Sequence, residues 1–146
     1  LGVASVVPLL TERTIVRLPL SRWRERQRRW QRVAREAAKQ CGRSVIPAVE
    51  PVLTLGEFAE SRPSADLALC LWEGEPQGLR GVLDSVLGSP ASAILAVGPE
   101  GGLAVNEVER LRAHGFRTAG LGPRILKTET AGPVGVALLQ ARFGDL

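Results

Sequence analysis

Residues 93–102 read AILAVGPEGG, an unbroken apolar run that stops abruptly in three glycines, a proline and a glutamate. Five apolar residues in succession fit a strand buried on both faces, as in a parallel sheet covered by helices. Pro99 cannot continue a central strand, so the run ends at Gly98 and a loop follows. Glycines let a ligand approach the backbone closely, and open α/β sheets bind ligands beyond the carboxyl ends of their strands. The spacing matches neither GxGxxG nor GxxxxGK[ST], which removes the dinucleotide and P-loop readings.

Outward from this stretch, short apolar runs alternate with helical patterns. The runs are VASVVPLL (3–10), SVIPAV (44–49), DLALCLWE (66–73), SAILAVG (92–98) and RTAGL (117–121). Helices are expected near 22–41, 55–60, 79–87 and 105–114, with a last one ending near Phe143. That alternation indicates one α/β domain over residues 1–146 with a mostly parallel sheet. ESRPSAD (60–66) and LGSPAS (87–92) read as loops within it.

A second glycine–proline loop, LGPRILKTETAG, spans residues 121–132. Two such loops after two strands would wall one pocket. Their backbone groups could read a base, with Leu121, Ile125 and Leu126 packed on its faces. Thr128 or Thr130 is suited to cap the last helix, with Glu129 near its positive end. If Thr130 is the cap, Pro133 falls harmlessly in the first turn.

Charge is unevenly placed. The chain carries a net charge of +4, yet residues 21–43 hold nine of its nineteen Lys and Arg and only Glu25 and Glu36 as acids. Outside that segment acids predominate. Trp30, Val33, Ala34, Ala37, Ala38 and Cys41 follow helical spacing and are expected to face the core. Arg28, Arg32, Arg35 and Lys39 recur on the opposite face, flanked by Arg29 and Arg43. A cationic stripe with so little acid suits phosphate, hence nucleic acid; a solvated face is the plainer alternative.

Cys41 and Cys70 lie in apolar surroundings and read as two buried thiols of a reducing cytoplasm. With His114 the sole histidine, no metal site is expected. No apolar run reaches the length of a membrane span, so a cytoplasmic location is expected.

GPEGG with Glu107 downstream, LGPRILKTETA, EAAKQCGR (36–43) and the closing LQARFGD (139–145) together resemble the RsmE-type ribosomal RNA methyltransferases of the SPOUT superfamily. The resemblance covers essentially the whole chain. It implies an α/β fold with a C-terminal trefoil knot, a homodimer, and S-adenosylmethionine as cofactor. The implied reaction methylates N3 of one uridine in 16S rRNA of the small ribosomal subunit. Carried over by position, Gly98, Pro99, Glu100, Gly101 and Gly102 form one cofactor loop, with Leu71 beside it. Leu121, Gly122, Pro123, Arg124, Ile125 and Leu126 form the other.

Arg43, closing QCGR, is placed near the methyl acceptor by the same resemblance, with Arg124 second; Glu129 and Glu100 are the candidate proton acceptors. Arg28, Arg29, Arg32, Arg35 and Arg43 are expected on RNA. Departures from the family pattern are Ala104 for Ser, which removes a capping box to Glu107, Lys127 for Arg, and the glycines and proline of ETAGPVG (129–135). The family's PUA-like RNA-binding domain and its first strand and helix have no counterpart in these residues. The alternatives are a SPOUT enzyme acting on another RNA such as tRNA, and an RNA-binding module without catalysis.

Overall fold

The computed structural model describes residues 1–61 and 65–146. Strand β1 (Ser5–Val6) and β2 (Leu9–Leu10) precede a long helix α1 (Leu20–Gln40), then β3 (Ala48–Val49), β4 (Leu53–Thr54) and α2 (Leu55–Ser61). The second half runs β5 (Leu67–Leu71), α3 (Leu79–Asp84), β6 (Ala93–Val97), α4 (Val105–Ala113), β7 (Arg117–Ala119) and α5 (Thr128–Phe143). Every pairing among the described strands is parallel. Arg62, Pro63 and Ser64, within the expected ESRPSAD loop, lie outside the described residues.

In the central sheet β5 lies between β6 and β7. Its residues alternate. Leu67, Leu69 and Leu71 join one core with α3, α5 and Ala119, while Cys70 joins the other with α2, α4 and Phe116. Leu69 and Cys70 are wholly buried. This explains the unbroken apolar run, because both faces of β5 are covered.

The connection from β5 to its neighbour β6 uses α3 on one face; the return from β6 across β5 to β7 uses α4 on the other. Right-handed crossovers that reverse direction must change face. The reversal places the topological switch point at the carboxyl ends of β5 and β7, where ligands settle in such sheets.

The two N-terminal strand pairs form one interrupted ribbon. Ser5 pairs with Ala48 and Leu9 with Leu53, so the second strand carries one extra residue between the pairs. Pro8 and Pro51, which lack an N–H, account for the break. The sequence pattern anticipates β3 within SVIPAV but not β4, a two-residue strand with too little length to show a period.

Helix α1 is rotated from its expected orientation. Trp23 and Ala38 are buried and Gln27, Trp30, Gln31 and Ala34 half-buried, whereas Val33 is 61% exposed and Ala37 and Cys41 are exposed. The reason lies in two glutamines. Gln31 donates to the Pro47 carbonyl and accepts from the Val49 N–H, and Gln27 donates to the Val49 carbonyl. An edge strand needs its backbone groups satisfied, and amide side chains do that where leucines could not. Cys41 is consequently not a buried thiol. Cys70 is, and burial pushes it up to about 12 against the opposing pull of Arg112, so it stays protonated.

Helix α5 begins at Thr128, with Lys127 as its capping position, and neither Thr128 nor Thr130 caps it through a side chain. Pro133 thus lies beyond the first turn and leaves the Glu129 carbonyl without an i→i+4 donor. Gly135 lets the helix settle on the sheet: a Cβ there would come within 2.7 Å of Leu95 and 3.1 Å of Leu71.

Candidate functional site

Three loops meet at the carboxyl edge of the central sheet: 72–78 after β5, 98–104 after β6 and 120–127 after β7. The second and third are tied directly, since the Thr128 hydroxyl donates to the Gly98 carbonyl at 3.0 Å. Thr128 is thereby diverted from capping to joining the two glycine loops. The first loop is locked to β7, with the Trp72 N–H on the Ala119 carbonyl, the Gly120 N–H on Gln77 and the Leu79 N–H on Gly120. Glu73, at the start of that loop, lies against Gly102 in the space a side chain there would need.

A polar cluster holds the first loop from below. Arg112 of α4 donates to both Glu75 and Thr118 at 2.8 Å, and its guanidinium lies 5.5 Å from the Trp72 ring. The Glu75 carboxyl is held below its usual range, first by the Thr118 hydroxyl and then by the Gln77 N–H, with Arg112 adding to both.

Of the expected cofactor residues, Leu71 is buried beneath the site, and Leu121 and Leu126 are half-buried against the same core cluster. Ile125 is 85% exposed, with no protein packing of its own. Gly98 closes tightly on Leu103, and Pro99 and Gly102 close the turn through a 2.9 Å backbone bond. Gly122 has φ +94°, and a Cβ there would meet no heavy atom within 4 Å. Room and an accessible backbone coincide at that residue, as a bound nucleoside requires. Gly101 is different, because a Cβ there would come within 3.2 Å of Arg13 Cβ.

Arg124 and Glu129 are exposed, with no hydrogen bond or ion pair among the described residues, as is Glu100. Arg43 is not among the residues gathered here. It donates to the Val3 carbonyl at 2.8 Å, at the amino ends of β1 and β3. Nearby Leu1 accepts from Gln140, about 18 Å along α5 from Thr128 at 1.5 Å per residue. Within one chain, Arg43 lies at the amino end of the N-terminal ribbon, and the glycine loops lie at the carboxyl edge of the central sheet.

Sequence reasoning missed the segment Thr11–Thr14. Glu107 accepts from the Ala104 N–H and also from the Glu12 N–H, at 3.0 and 2.8 Å. Half of the capping box therefore survives the loss of serine, and its glutamate gains a second duty. Arg13 Nη1 donates to the Gly101 carbonyl at 2.9 Å. The only local signal was two threonines three apart, and the partners lie some ninety positions away.

The stripe on α1 is as expected. Arg28, Arg29, Arg32 and Arg35 are exposed and make no ion pair among the described residues, whereas Arg22 and Lys39 pair with Glu25 and Glu36. His114 sits at the end of α4 with Nδ1 2.8 Å from the Arg110 carbonyl. Among the described residues no group of His, Cys, Asp and Glu could hold a metal ion, and no helix is long and apolar enough to cross a membrane.

A sequence model described as an RNA methyltransferase domain matches residues 1–140. The chain belongs to that family. It is 38% identical over 143 residues to ribosomal RNA small subunit methyltransferase E of Synechocystis, covering 97% of this chain and 46% of that protein. The Bacillus subtilis protein of the same name is 35% identical over 136 residues, covering 90% and 53%. The chain thus spans about half the length of these curated relatives.

Among solved structures, a putative methyltransferase from Legionella pneumophila in complex with S-adenosylmethionine superposes with a TM-score of 0.90 at 34% identity, over 99% of this chain and 58% of that one. Ribosomal RNA small subunit methyltransferase E from Neisseria gonorrhoeae, bound to S-adenosylmethionine, gives 0.86 at 33% identity, over 99% and 57%. Membership bears out the resemblance read from the loop motifs, and the parallel α/β architecture agrees with these neighbours.

Proposed function

We propose that this chain is the catalytic domain of an S-adenosylmethionine-dependent methyltransferase acting on N3 of one uridine in 16S rRNA. The Thr128–Gly98 bond carries the reading, because it makes two glycine–proline loops into one wall at the sheet's carboxyl edge. Likeness over 99% of the chain to two structures bound to S-adenosylmethionine supports it.

The cofactor supplies a methyl carbon on a positively charged sulfur, which leaves as a neutral thioether. In this reading Leu71, Gly98–Gly102 and Leu121–Leu126 would hold it, and the open backbone at Gly122 leaves room for it. Fixing donor and acceptor in line carries much of such a rate. Uridine N3 loses its proton as it attacks, with Glu129 or Glu100 as the group that receives it directly or through water. Arg124 borders the site.

Arg43, at the amino end of the N-terminal ribbon, reaches the site only from a second copy, which fits a homodimer. The loop 72–78, laced to residues 119–120, is where the trefoil threading would lie. Arg28, Arg29, Arg32 and Arg35 grip RNA phosphates, and the protein acts on the small subunit in the cytoplasm.

The test is transfer of tritium from labelled S-adenosylmethionine to small-subunit RNA by the full-length protein. Label recovered as 3-methyluridine is the expected result. Label on a ribose or on tRNA overturns the substrate, and failure to bind S-adenosylmethionine in calorimetry overturns catalysis. Light scattering that gives a monomer at micromolar concentration overturns the dimer.

A further inference from the structure

We infer that Arg13 is the cation this chain itself sets against the reacting uracil, a role the loop motifs do not assign to it. The inference rests on the methyl-transfer reading above.

The first ground is position. Arg13 is hydrogen-bonded to the Gly101 carbonyl and packs on that glycine, at the edge where the three loops meet. Arg43 is at the amino end of the N-terminal ribbon, and Arg124 has no anchor among the described residues.

The second is how firmly it is held. Thr11 is 8% exposed. Its N–H bonds the Thr14 hydroxyl at 2.9 Å, and the Thr14 N–H returns to its carbonyl at 3.2 Å, closing a turn around Arg13. Between them the Glu12 N–H is bonded to Glu107, and Asn106 reaches the Glu12 carboxylate at 3.3 Å. A free arginine loses rotamer entropy on binding; a side chain already pinned through its backbone and one guanidinium nitrogen has less left to lose.

The third is spare capacity. A guanidinium carries five N–H donors, and Arg13 spends one on Gly101. No carboxylate pairs with it among the described residues, so its charge is uncompensated and its remaining donors face solvent at the loop. Uridine needs that complement. As the N3 proton leaves to the accepting carboxylate or water and the N3 electron pair bonds the methyl carbon, negative charge gathers on the two ring carbonyl oxygens. A preorganised cation beside those oxygens stabilises the transition state more than the neutral ring.

The experiment compares Arg13→Gln, Arg13→Lys and wild type in the full-length protein, in single turnovers on small-subunit RNA at saturating S-adenosylmethionine. Arg13→Gln is expected to slow the step about 100-fold, the effect of removing one such donor, with S-adenosylmethionine affinity by calorimetry unchanged. Arg13→Lys, which keeps the charge without the fork, falls between. Replacing the target with 5-fluorouridine, whose N3–H is more acidic, should speed Arg13→Gln by a larger factor than it speeds wild type.

An Arg13→Gln protein as fast as wild type overturns the assignment while leaving the methyl-transfer reading intact. So does a loss that tracks weakened S-adenosylmethionine binding with no extra 5-fluorouridine rescue, since Arg13 would then only brace Gly101. Wild-type protein that transfers no label overturns the underlying reading and the assignment together.

Discussion

The carboxyl edge of the central sheet and the exposed face of α1 are both rich in polar groups, and they use them in opposite ways. At the sheet edge, four charged side chains are tied into the fold. Glu107, Arg112, Glu75 and Arg13 each hold backbone or side chains brought together from distant parts of the chain. On α1, Arg28, Arg29, Arg32 and Arg35 make no hydrogen bond or ion pair among the described residues. The first arrangement braces the loops against one another, as the proposed in-line methyl transfer would require. The second leaves long flexible cations free to follow a phosphate backbone, whose attraction needs no fixed geometry.

The sharpest way to break this contrast is at Gly122. Valine there must adopt φ near +94° and fill the open space over the backbone. Strain alone is of order 1–3 kcal/mol, and with the space blocked S-adenosylmethionine binding should weaken by about 100-fold or more. Calorimetry measures this, and circular dichroism should show the fold retained. Undiminished binding would remove Gly122 from the cofactor wall.

Next in size, Gly135→Leu forces a side chain into Leu95 and Leu71. Overpacking of this kind costs about 1–3 kcal/mol, to be read as a lowered midpoint in urea unfolding. A neutral result would mean that α5 can lift off the sheet, and that the loop wall is softer than the hydrogen bonds suggest.

The α1 side of the comparison is tested by changing Arg28, Arg32 and Arg35 to Gln together. RNA affinity should fall and its salt dependence flatten by roughly one unit per lost phosphate contact. Stability and S-adenosylmethionine affinity should stay as they are, because these arginines are exposed and make no hydrogen bond or ion pair among the described residues. An unchanged salt slope returns the stripe to an ordinary solvated face.

A smaller effect tests the charge network around Glu75. Glu75 has its folded pKa lowered, so its stabilisation is present above the unfolded value of about 4.3 and is lost as pH falls through the folded one. Thr118→Val removes the largest cause of that shift. The variant should be less stable than wild type at neutral pH, with the gap closing below about pH 4; a gap that is flat with pH would mean that the hydroxyl matters only by packing. Smallest of all, a thiol reagent at pH 8 should modify Cys41 at once and leave Cys70 untouched until unfolding, since only Cys41 is exposed.

Much of the architecture was legible from local pattern. Both faces of β5 are covered, so its apolar run is continuous, and the glycine–proline punctuation after β6 and β7 marked the ends where loops begin. The family followed from those same loops, because backbone that must approach a ligand admits few residues other than glycine. Helix α1 was legible as a helix and misread as to its face. Gln27 and Gln31 look like surface residues in any hydrophobic pattern, and become interior only because an edge strand lies opposite them.

By itself, then, the sequence determined the α/β class, the two loops and the placement of charge on α1, all of which depend on residues close together in the chain. Only the tertiary structure decided that Thr128 ties the loops rather than caps a helix, that Arg43 stands at the amino end of the N-terminal ribbon, and that Arg13 stands beside Gly101. Each of those outcomes depends on which hydrogen-bond acceptor from a distant segment a side chain meets. That is a property of the packed chain, and no spacing along the sequence encodes it.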